Sequence, residues 1–358
     1  MTGNQVFKGS TTFGGSNGAG MFYGNTNLTV TDSVFSGNVS DRATAALRIY
    51  ASYDAFDAAG VSLPVADLPP TTNTVTFDRV TVSGNATNGA GGSSFAMIYL
   101  RSPGIYTFVN TTIAGNTVTG SCGGVFSADA FNPSAQTNAM QIIFRNSTLA
   151  RNSASQCQDV GGLSAYFPTA PSGHDVINGS FVFESSILGG RQPTSNPLDL
   201  IFVSDPSKAT MTNTLIENNG DSLSGKCGLS GNICNADAKL DTLASNGGPT
   251  QTLRLLAGSP AINAGSNSTA QATDQRGAAR VQGASVDMGA YETPAGSAVA
   301  CNLDMDGDSL LSPTKEGSVL VRAMLGFAAN NIMVGAGLTA SWATIRANLN
   351  ANCGTSFP

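Results

Sequence analysis

Acidic side chains alternate along one short segment near the carboxyl-terminal end of the sequence. Carboxylates at alternate loop positions before a helix are typical of calcium sites, because Ca2+ is a hard cation that takes about six to eight oxygen ligands. The predicted ligands are the carboxylates of Asp304, Asp306, Asp308 and Glu316, the backbone carbonyl of Leu310 and the hydroxyl of Ser312. A bound ion would neutralise the clustered charges and order this part of the chain. The alternative is an exposed acidic turn that binds no ion.

The aspartate segment resembles the first half of an EF-hand loop, with two departures. Ser309 stands at the sixth loop position, where glycine is expected, and Lys315 stands at the twelfth, so that the closing acid Glu316 comes one position late. The following stretch, 317–326, is similar to the first half of a dockerin-type module. The sequence has no second Asp-rich loop, so a dockerin with two calcium sites is not expected. The resemblance implies docking to a partner or attachment as the role of this module.

A second helix is predicted near residues 341–349, and it would pack against the helix that follows the calcium loop. Residues 293–300 are rich in small residues and in proline, and they predict a linker. Residues 301–358 are therefore predicted to form a separate small helical module. The apolar face of its second helix carries Trp342, Ile345 and Leu349.

Aromatic and charged residues concentrate on long connections that follow glycine-opened strands. If these connections lie on the same side of successive coils, they form a rim over a rigid scaffold. Binding residues are often found on loops of this kind. The aromatic residues of these connections include Tyr50, Tyr53, Phe131 and Tyr166.

Catalysis at this rim would need more than binding. A glycoside hydrolase needs two carboxylates about 5 to 9.5 Å apart, and a lyase needs a base, such as Arg101, beside calcium-bound carboxylates. His174 is the only histidine, and a single exposed histidine is more often incidental than a general base. The sequence has no nucleophile elbow, zinc-ligand spacing, P-loop or dinucleotide fingerprint. The weak catalytic candidates are Asp54, Asp57, Arg101, Asp129, His174 and Asp175.

A repeat that ends in asparagine supplies the scaffold. Six segments align without gaps on an apolar–x–polar–x–x–apolar–x–x–Asn frame, although Arg191 replaces the asparagine in the fifth. Their spacing and their period-2 alternation predict short strands in a solenoid, with the repeated asparagines stacked at one corner. The segments are 30–38, 77–85, 108–116, 144–152, 183–191 and 211–219. A second strand, opened by glycine, is predicted in the stretches 18–23, 91–99, 123–126 and 161–166.

The glycine pairs and the Phe35-x-x-Asn38 pattern resemble the repeats of polymorphic outer-membrane proteins. These belong to the right-handed parallel β-helix, or pectin-lyase-like, superfamily. The resemblance covers roughly residues 1–220 and implies a fold rather than one activity, since the superfamily holds lyases, hydrolases, adhesins and passive surface stalks. Aromatic and acidic residues on loops over the β-helix often hold carbohydrate in this superfamily. The resemblance therefore implies that Tyr50, Tyr53, Phe131 and Tyr166 are carbohydrate contacts.

Residues 240–292 differ in pattern from the asparagine-ended repeats, and they contain the motifs Asp274-Gln-Arg-Gly277 and Asp287-Met-Gly-Ala-Tyr-Glu292. They are similar to the "choice-of-anchor Q" region that ends many bacterial surface β-helix proteins. The resemblance implies that this region completes the last coils and shields the open end of the solenoid. Its charged residues are expected to form structural ion pairs and hydrogen bonds rather than a catalytic site. They are Asp274, Arg276, Arg280, Asp287 and Glu292.

Composition narrows the choice of partners and of compartment. Only 11% of the 358 residues are charged, the net charge is −6, and no basic stripe is visible, so nucleic acid is not an expected partner. No apolar run is long enough for a membrane helix. Six cysteines, an even number, favour an oxidising compartment, with buried free thiols as the alternative. The expected disulfides are Cys122–Cys157, Cys227–Cys234 and Cys301–Cys353.

The sequence thus predicts an all-β fold, a right-handed parallel β-helix (solenoid) with a small carboxyl-terminal α-helical calcium-binding module. The predicted boundaries are 1–239 for the coils, 240–292 for the final coils and cap, 293–300 for the linker and 301–358 for the helical module. Because Thr2-Gly-Asn4 matches the ending of a repeat, the coils are expected to be truncated at the amino-terminal side.

The leading functional hypothesis is an extracellular or bacterial cell-surface protein without enzymatic activity. It would bind a polysaccharide or another surface component, and serve adhesion or assembly. The alternative is a polysaccharide lyase or glycoside hydrolase that uses the loop rim. Self-association through open β-helix ends is a further possibility, because an unpaired strand edge can pair with a second chain.

Overall fold

A computed structural model shows a mostly β protein with parallel sheets and few helices, which confirms the all-β part of the prediction. The structure describes residues 5–6, 20–23, 27–40, 46–50, 73–87, 98–101, 104–118, 126–128, 140–154, 163–165, 179–189, 201–203, 207, 209–217, 223–295, 314–327, 329–338 and 341–352. The chain divides into two compact units. Unit 1 comprises residues 1–255 and 260–293, and unit 2 comprises residues 256–259 and 294–358.

Unit 1 contains four parallel sheets, which are numbered here in the order in which the chain first enters them. Sheet 1 contains β1 (Gln5–Val6), β5 (Val39–Ser40), β9 (Ala86–Thr87), β13 (Thr117–Val118) and β17 (Ser153–Ala154). Sheet 2 contains β2 (Gly20–Tyr23), β6 (Leu47–Tyr50), β10 (Ile98–Arg101), β14 (Phe126–Ala128), β18 (Leu163–Ala165) and β21 (Ile201–Val203).

The other two parallel sheets hold the asparagine-ended repeats. Sheet 3 contains β3 (Asn27–Thr31), β7 (Asn73–Asp78), β11 (Gly104–Val109), β15 (Met140–Arg145), β19 (Gly179–Glu184) and β22 (Ala209–Thr212). Sheet 4 contains β4 (Val34–Ser36), β8 (Thr81–Ser83), β12 (Thr112–Ala114), β16 (Thr148–Ala150), β20 (Ile187–Gly189), β23 (Leu215–Ile216) and β24 (Ile233–Cys234). From β1 to β20 the chain passes through sheets 1, 2, 3 and 4 in that order, five times.

Strand register confirms the alignment of the six repeats. Their first apolar positions are register partners in sheet 3, namely Val30, Phe77, Phe108, Phe144, Phe183 and Met211. Their second apolar positions are partners in sheet 4, namely Phe35, Val82, Ile113, Leu149, Leu188 and Ile216. All twelve belong to or pack against one core, here called the main core. Because strand side chains alternate between faces, each repeat sends the same positions inward.

Phenylalanine rings stack inside the main core along the direction in which the strands pair. The ring centroids of Phe77 and Phe108 lie 4.9 Å apart, as do those of Phe108 and Phe144, and those of Phe144 and Phe183 lie 5.5 Å apart. These separations are close to the spacing of about 4.8 Å between neighbouring strands. Parallel stacking of this kind follows directly from an apolar residue at the same register position of each repeat.

The repeated asparagines form a buried hydrogen-bonded row, as the sequence predicted. The Nδ2 of Asn38 donates to Oδ1 of Asn85 at 2.8 Å, and Asn85 donates in the same way to Asn116 at 2.8 Å. Asn116 donates to Asn152 at 2.9 Å. The residue before each of the first three is a glycine with positive φ, and at Gly84 and Gly115 nothing lies within 4 Å of the position of a Cβ atom. The backbone conformation, rather than space, therefore favours glycine there.

Residues 240–292 are described throughout, and they add no strand to the four parallel sheets. They contain one antiparallel pair, β25 (Leu240–Ala244) with β26 (Thr252–Leu255). Leu240, Leu253, Leu255 and Met288 form a second core with residues of sheet 4 that alternate with those in the main core, among them Ile187. Its residues of unit 1 pack against the face of sheet 4 that is turned away from the main core. That this region completes the last coils stays a prediction.

Unit 2 contains the helices α1 (Glu316–Met324), α2 (Ala329–Ile332) and α3 (Trp342–Asn352). The helix expected near 341–349 is therefore present as α3. Trp342, Ile345 and Leu349 are buried, and they share a core with residues of α1 such as Val319 and Ala323. The predicted packing of the two helices is confirmed.

Candidate functional site

Two of the rim residues predicted from the sequence lie in the part of the chain that the structure describes. Tyr50 is the last residue of β6, and Arg101 is its register partner on β10. Tyr23, on β2, is the partner of Tyr50 on the other side. Since all three strands are parallel, these residues lie side by side at the edge of sheet 2 where the strands end. The predicted residues outside the described ranges are Tyr53, Asp54, Asp57, Asp129, Phe131, Tyr166, His174 and Asp175.

The sequence predicts the strand that ends at Tyr23 but does not place Tyr23 beside Tyr50. The signal was available, because Tyr23 and Tyr50 both end a segment opened by small residues and followed by a connection. What could not be read was the register, which depends on the lengths of the intervening connections. The sheet pairing supplies that register and adds Tyr23 to the candidate contacts.

Of the predicted calcium ligands, Glu316 is the one that the structure describes. It is the first residue of α1 and is only 3% exposed. Asp304, Asp306, Asp308, Leu310 and Ser312 lie outside the described residues. Elsewhere in the described ranges, no group of three or more His, Cys, Asp or Glu residues comes together in a way that could hold a metal ion.

One predicted disulfide, Cys227–Cys234, is present and confirmed. Its second cysteine belongs to β24 and packs against the main core. The bond therefore ties the loop after the 3-10 turn Ser224–Lys226 to the last strand of sheet 4. The pairs Cys122–Cys157 and Cys301–Cys353 involve residues outside the described ranges.

Residues 238–255 and 260–293, here called the covering segment, bind sheet 4 through buried polar groups. Gln275 is fully buried, and its Nε2 lies within 3.2 Å of four oxygen atoms. Its Oε1 accepts a hydrogen bond of 2.6 Å from the hydroxyl of Thr112. On the next strand, Thr148 Oγ1 accepts from the backbone N–H of Ala290 at 2.9 Å. The oxygens around Nε2 belong to Val80, Thr81, Thr250 and Gln251.

The charged residues of the covering segment form the ion pairs and hydrogen bonds that the sequence predicted. Asp274, fully buried, pairs with Arg276 at 2.7 Å, and its second oxygen accepts from the backbone N–H of Arg276 at 2.8 Å. The Arg276 guanidinium lies 3.8 Å above the ring of Tyr291, a cation–π contact. Both carboxylate oxygens of Asp274 accept hydrogen bonds from its own segment, so this side chain has a structural role.

A second group of charged residues in the covering segment consists of Arg280, Asp287 and Glu292. Arg280 is fully buried, and its Nη1 lies 3.7 Å from Oε2 of Glu292. Asp287 accepts from the backbone N–H of Asn263 at 2.7 Å and from that of Thr293 at 2.6 Å. Burial raises the pKa of Asp287 and lowers that of Arg280, because desolvation disfavours the charged forms.

Glu292 makes the stability of unit 1 depend on pH. Burial, and then the neighbouring Asp287 carboxylate, raise the pKa of Glu292 from 4.5 to about 7. Between these values the native state holds a proton that the unfolded chain has released, so the free energy of unfolding falls as pH rises. We expect a loss of up to about 3 kcal/mol across this interval. The pKa of Asp287 is also raised, so the free energy of unfolding falls further as pH rises above 3.8, the ordinary pKa of this side chain.

Urea titrations at about pH 5 and about pH 8 measure this dependence. The variant Glu292→Gln, which mimics the protonated side chain, should lose much less stability between these two pH values than the parent protein, and Asp287 accounts for the dependence that remains. Glu184→Gln is the control, because Glu184 pairs with Arg145 in a partly exposed position and should leave the pH dependence in place. Equal pH dependence in Glu292→Gln and the parent protein would contradict the assignment. Arg79 lowers the pKa of Asp32, and Arg254 lowers that of Asp241. These two residues therefore change the free energy of unfolding only at more acidic pH.

Comparisons of the chain with protein-family models, with curated proteins and with solved structures found no match. In the described residues, no helix is long and apolar enough to cross a membrane.

Proposed function

We propose that the four parallel sheets are the faces of one right-handed parallel β-helix. The repeated order of the sheets along the chain, the stacked phenylalanines and the buried asparagine row support this proposal. Each passage through the four sheets would be one coil, and each coil buries its apolar positions against the next. Repeats of this kind contact only their neighbours, so the result is a rigid rod on which loops can be presented.

We further propose that this rod is an extracellular or cell-surface protein that binds a polysaccharide and serves adhesion or assembly. The observation that carries the proposal is the alignment of Tyr23, Tyr50 and Arg101 on three neighbouring strands. Aromatic rings stack on the apolar faces of sugars, and a guanidinium donates several hydrogen bonds to sugar oxygens or carboxylates. Neighbouring strands lie about 4.8 Å apart, so these three residues follow one another along sheet 2 at intervals that an extended glycan chain can span.

Binding to a panel of neutral and acidic polysaccharides tests this proposal. The parent protein should bind at least one of them, and Tyr50→Ala and Arg101→Ala should each weaken binding about tenfold, the effect of about 1.4 kcal/mol. Arg254→Ala is the matched control, because Arg254 is half-exposed and pairs with Asp241 in the covering segment. The proposal fails if no polysaccharide binds, or if both variants bind as well as the control.

The same panel distinguishes binding from catalysis. A lyase releases products that absorb in the ultraviolet, and a hydrolase releases reducing ends. Loss of either signal in Arg101→Ala, with binding retained, would favour the alternative function of a polysaccharide lyase or glycoside hydrolase. Binding without product release favours the surface-binding role.

We propose that unit 2 is a calcium-stabilised module that docks to a partner or attaches the protein. The position of Glu316 supports this proposal, because a buried carboxylate at the start of α1 fits the closing ligand of a calcium loop.

Trp342, the only tryptophan of the chain, is buried in this unit and reports on its folding. Adding Ca2+ to chelator-treated protein should raise the fluorescence-detected unfolding temperature by about 5 °C or more. Asp306→Asn should abolish the shift, and a transition indifferent to Ca2+ in the parent protein would contradict the proposal.

A further inference from the structure

A row of residues with positive φ joins sheet 3 to sheet 4, one residue in each repeat. Several of them hold the covering segment with their side chains. Asn110 Nδ2 donates to the carbonyl of Thr273 at 3.1 Å, and Asn213 Nδ2 donates to that of Ala264 at 3.1 Å. Ser185 Oγ accepts from the backbone N–H of Ser266 at 2.9 Å. The row consists of Asp32, Arg79, Asn110, Asn146, Ser185 and Asn213.

Asn146 is the member of this row whose side chain has no protein partner. It is fully buried, and neither its Oδ1 nor its Nδ2 makes a hydrogen bond. Buried amides that lack a partner cost about 1 to 3 kcal/mol, so native proteins seldom tolerate them. Arg280 is also fully buried, and its Nε makes no hydrogen bond. Three polar atoms from two buried side chains therefore need a partner.

Asn146 lies between two residues that Arg280 reaches, one directly and the other through Gly289. Asn110, Asn146 and Ser185 hold equivalent positions in successive repeats, since Asn110 N–H donates to Arg145 and Asn146 N–H donates to Glu184. Arg280 Nη2 donates to Oδ1 of Asn110, on one side of Asn146.

On the other side of Asn146, Arg280 Nη1 donates to the carbonyl of Gly289 at 3.1 Å, and the Gly289 N–H donates to Ser185 at 2.8 Å. The guanidinium thus reaches from one neighbour of Asn146 to a residue bound to the other neighbour. Neighbouring strands are about 4.8 Å apart, so Asn146 lies within the span of this one side chain.

We propose that a buried water molecule binds between Arg280 Nε and the side-chain amide of Asn146. Such a water would accept a hydrogen bond from the Nε–H of Arg280 and bind the amide, which gives it the two or more polar partners that buried waters require. It would also complete the row, so that Asn146, like Asn110 and Ser185, holds the covering segment. An anion is disfavoured at this position, because the charged residues nearby include three carboxylates and only two guanidinium groups, those of Arg276 and Arg280. These carboxylates belong to Asp274, Asp287 and Glu292.

Crystals of the full chain that diffract to about 1.5 Å test the proposal directly. A density peak within about 3.2 Å of both Arg280 Nε and an amide atom of Asn146 is expected. A direct contact between the two side chains, a protein atom in the same place, or absence of the peak would overturn the proposal. A bromide soak identifies the species, since an anomalous signal at this position would show an anion instead of water.

A double-mutant cycle supplies a second test in solution. Asn146→Leu and Arg280→Lys each remove one partner of the water, and hydrogen exchange at the amides of Ser266 and Gly289 measures opening of the covering segment. If one water joins the two side chains, the second substitution should add little to the first, with a coupling of about fivefold in the opening equilibrium. The proposal would be contradicted if the effect of the double substitution on the opening equilibrium equals the product of the two single effects to within about twofold. Should either variant fail to fold, the diffraction experiment on the parent protein still decides.

Discussion

Replacement of Asn116 by alanine is expected to lower the free energy of unfolding of unit 1 by about 4 kcal/mol. Asn116 is fully buried in the middle of the asparagine row. Its Oδ1 accepts from the backbone N–H and the Nδ2 of Asn85, at 3.1 and 2.8 Å. Its Nδ2 donates to the carbonyl of Val82 at 2.9 Å and to Asn152 at 2.9 Å. The substitution leaves several of these buried groups without a partner, and each carries a desolvation cost.

Urea unfolding monitored by circular dichroism measures this effect. Asn27→Ala is the matched control, because Asn27 is an exposed residue of β3, and it should change stability by less than about 0.5 kcal/mol. Asn116→Asp keeps the size of the side chain but removes the donor, and it places a carboxylate next to two oxygen acceptors. It should be at least as destabilising as Asn116→Ala. If both variants are as stable as the control, the asparagine row is not what holds successive repeats together.

Replacement of Gln275 by leucine is expected to release the covering segment from sheet 4, at a cost of about 3 kcal/mol. Leucine has a similar volume, so the loss would come from hydrogen bonds rather than from a cavity. Gln275 joins the covering segment to β8 and β12, because its amide binds the hydroxyls of Thr81 and Thr112. Without it, the buried hydroxyl of Thr112 loses an acceptor at 2.6 Å. Hydrogen exchange of residues 273–290 should accelerate by about a hundredfold.

The neighbouring Gln251 provides the control for this experiment. Its side chain is exposed, although its backbone carbonyl is one of the acceptors around Gln275. Gln251→Leu should therefore leave the exchange rates almost unchanged. Gln275→Glu should behave like Gln275→Leu or worse, since it exchanges the Nε2 donor for an oxygen that faces four oxygens. Protection retained in both Gln275 variants would show that the apolar contacts of the second core alone hold the segment.

The sequence predicted well those features that repeat locally. A frame of apolar residues and asparagine recurs in each segment, so the register of Phe77, Phe108 and Phe144 could be read from the alignment. The same holds for the row from Asn38 to Asn152, because neighbouring repeats supply both donor and acceptor. The apolar face of α3 was readable from helical spacing within eight residues. In each case, the residues that determine the structure lie close together in the sequence or repeat at aligned positions.

The path of the covering segment could not be predicted in the same way. Gln275 lies in the motif Asp274-Gln-Arg-Gly277, yet its partners Val80 and Thr81 are 195 and 194 residues away. The alternate positions of sheet 4, such as Ala114 and Ala150, are small and apolar, which is a signal that something packs on that face. Without the register, this signal did not identify the segment that packs there. The resemblance pointed instead to the open end of the solenoid.

The proposed stacking of successive coils is tested most directly by disulfide crosslinking between register partners. Thr76 and Thr107 are partners on the neighbouring strands β7 and β11, and both are partly exposed. Two cysteines at these positions should form a disulfide under mild oxidation, because register partners lie within the Cα separation of about 4.4 to 6.8 Å that the bond requires. Cysteines at Thr76 and Val182, which are three strands apart, should not. Peptide mapping that finds the second bond and not the first would contradict the parallel stack, and the first bond alone is the result that the account predicts.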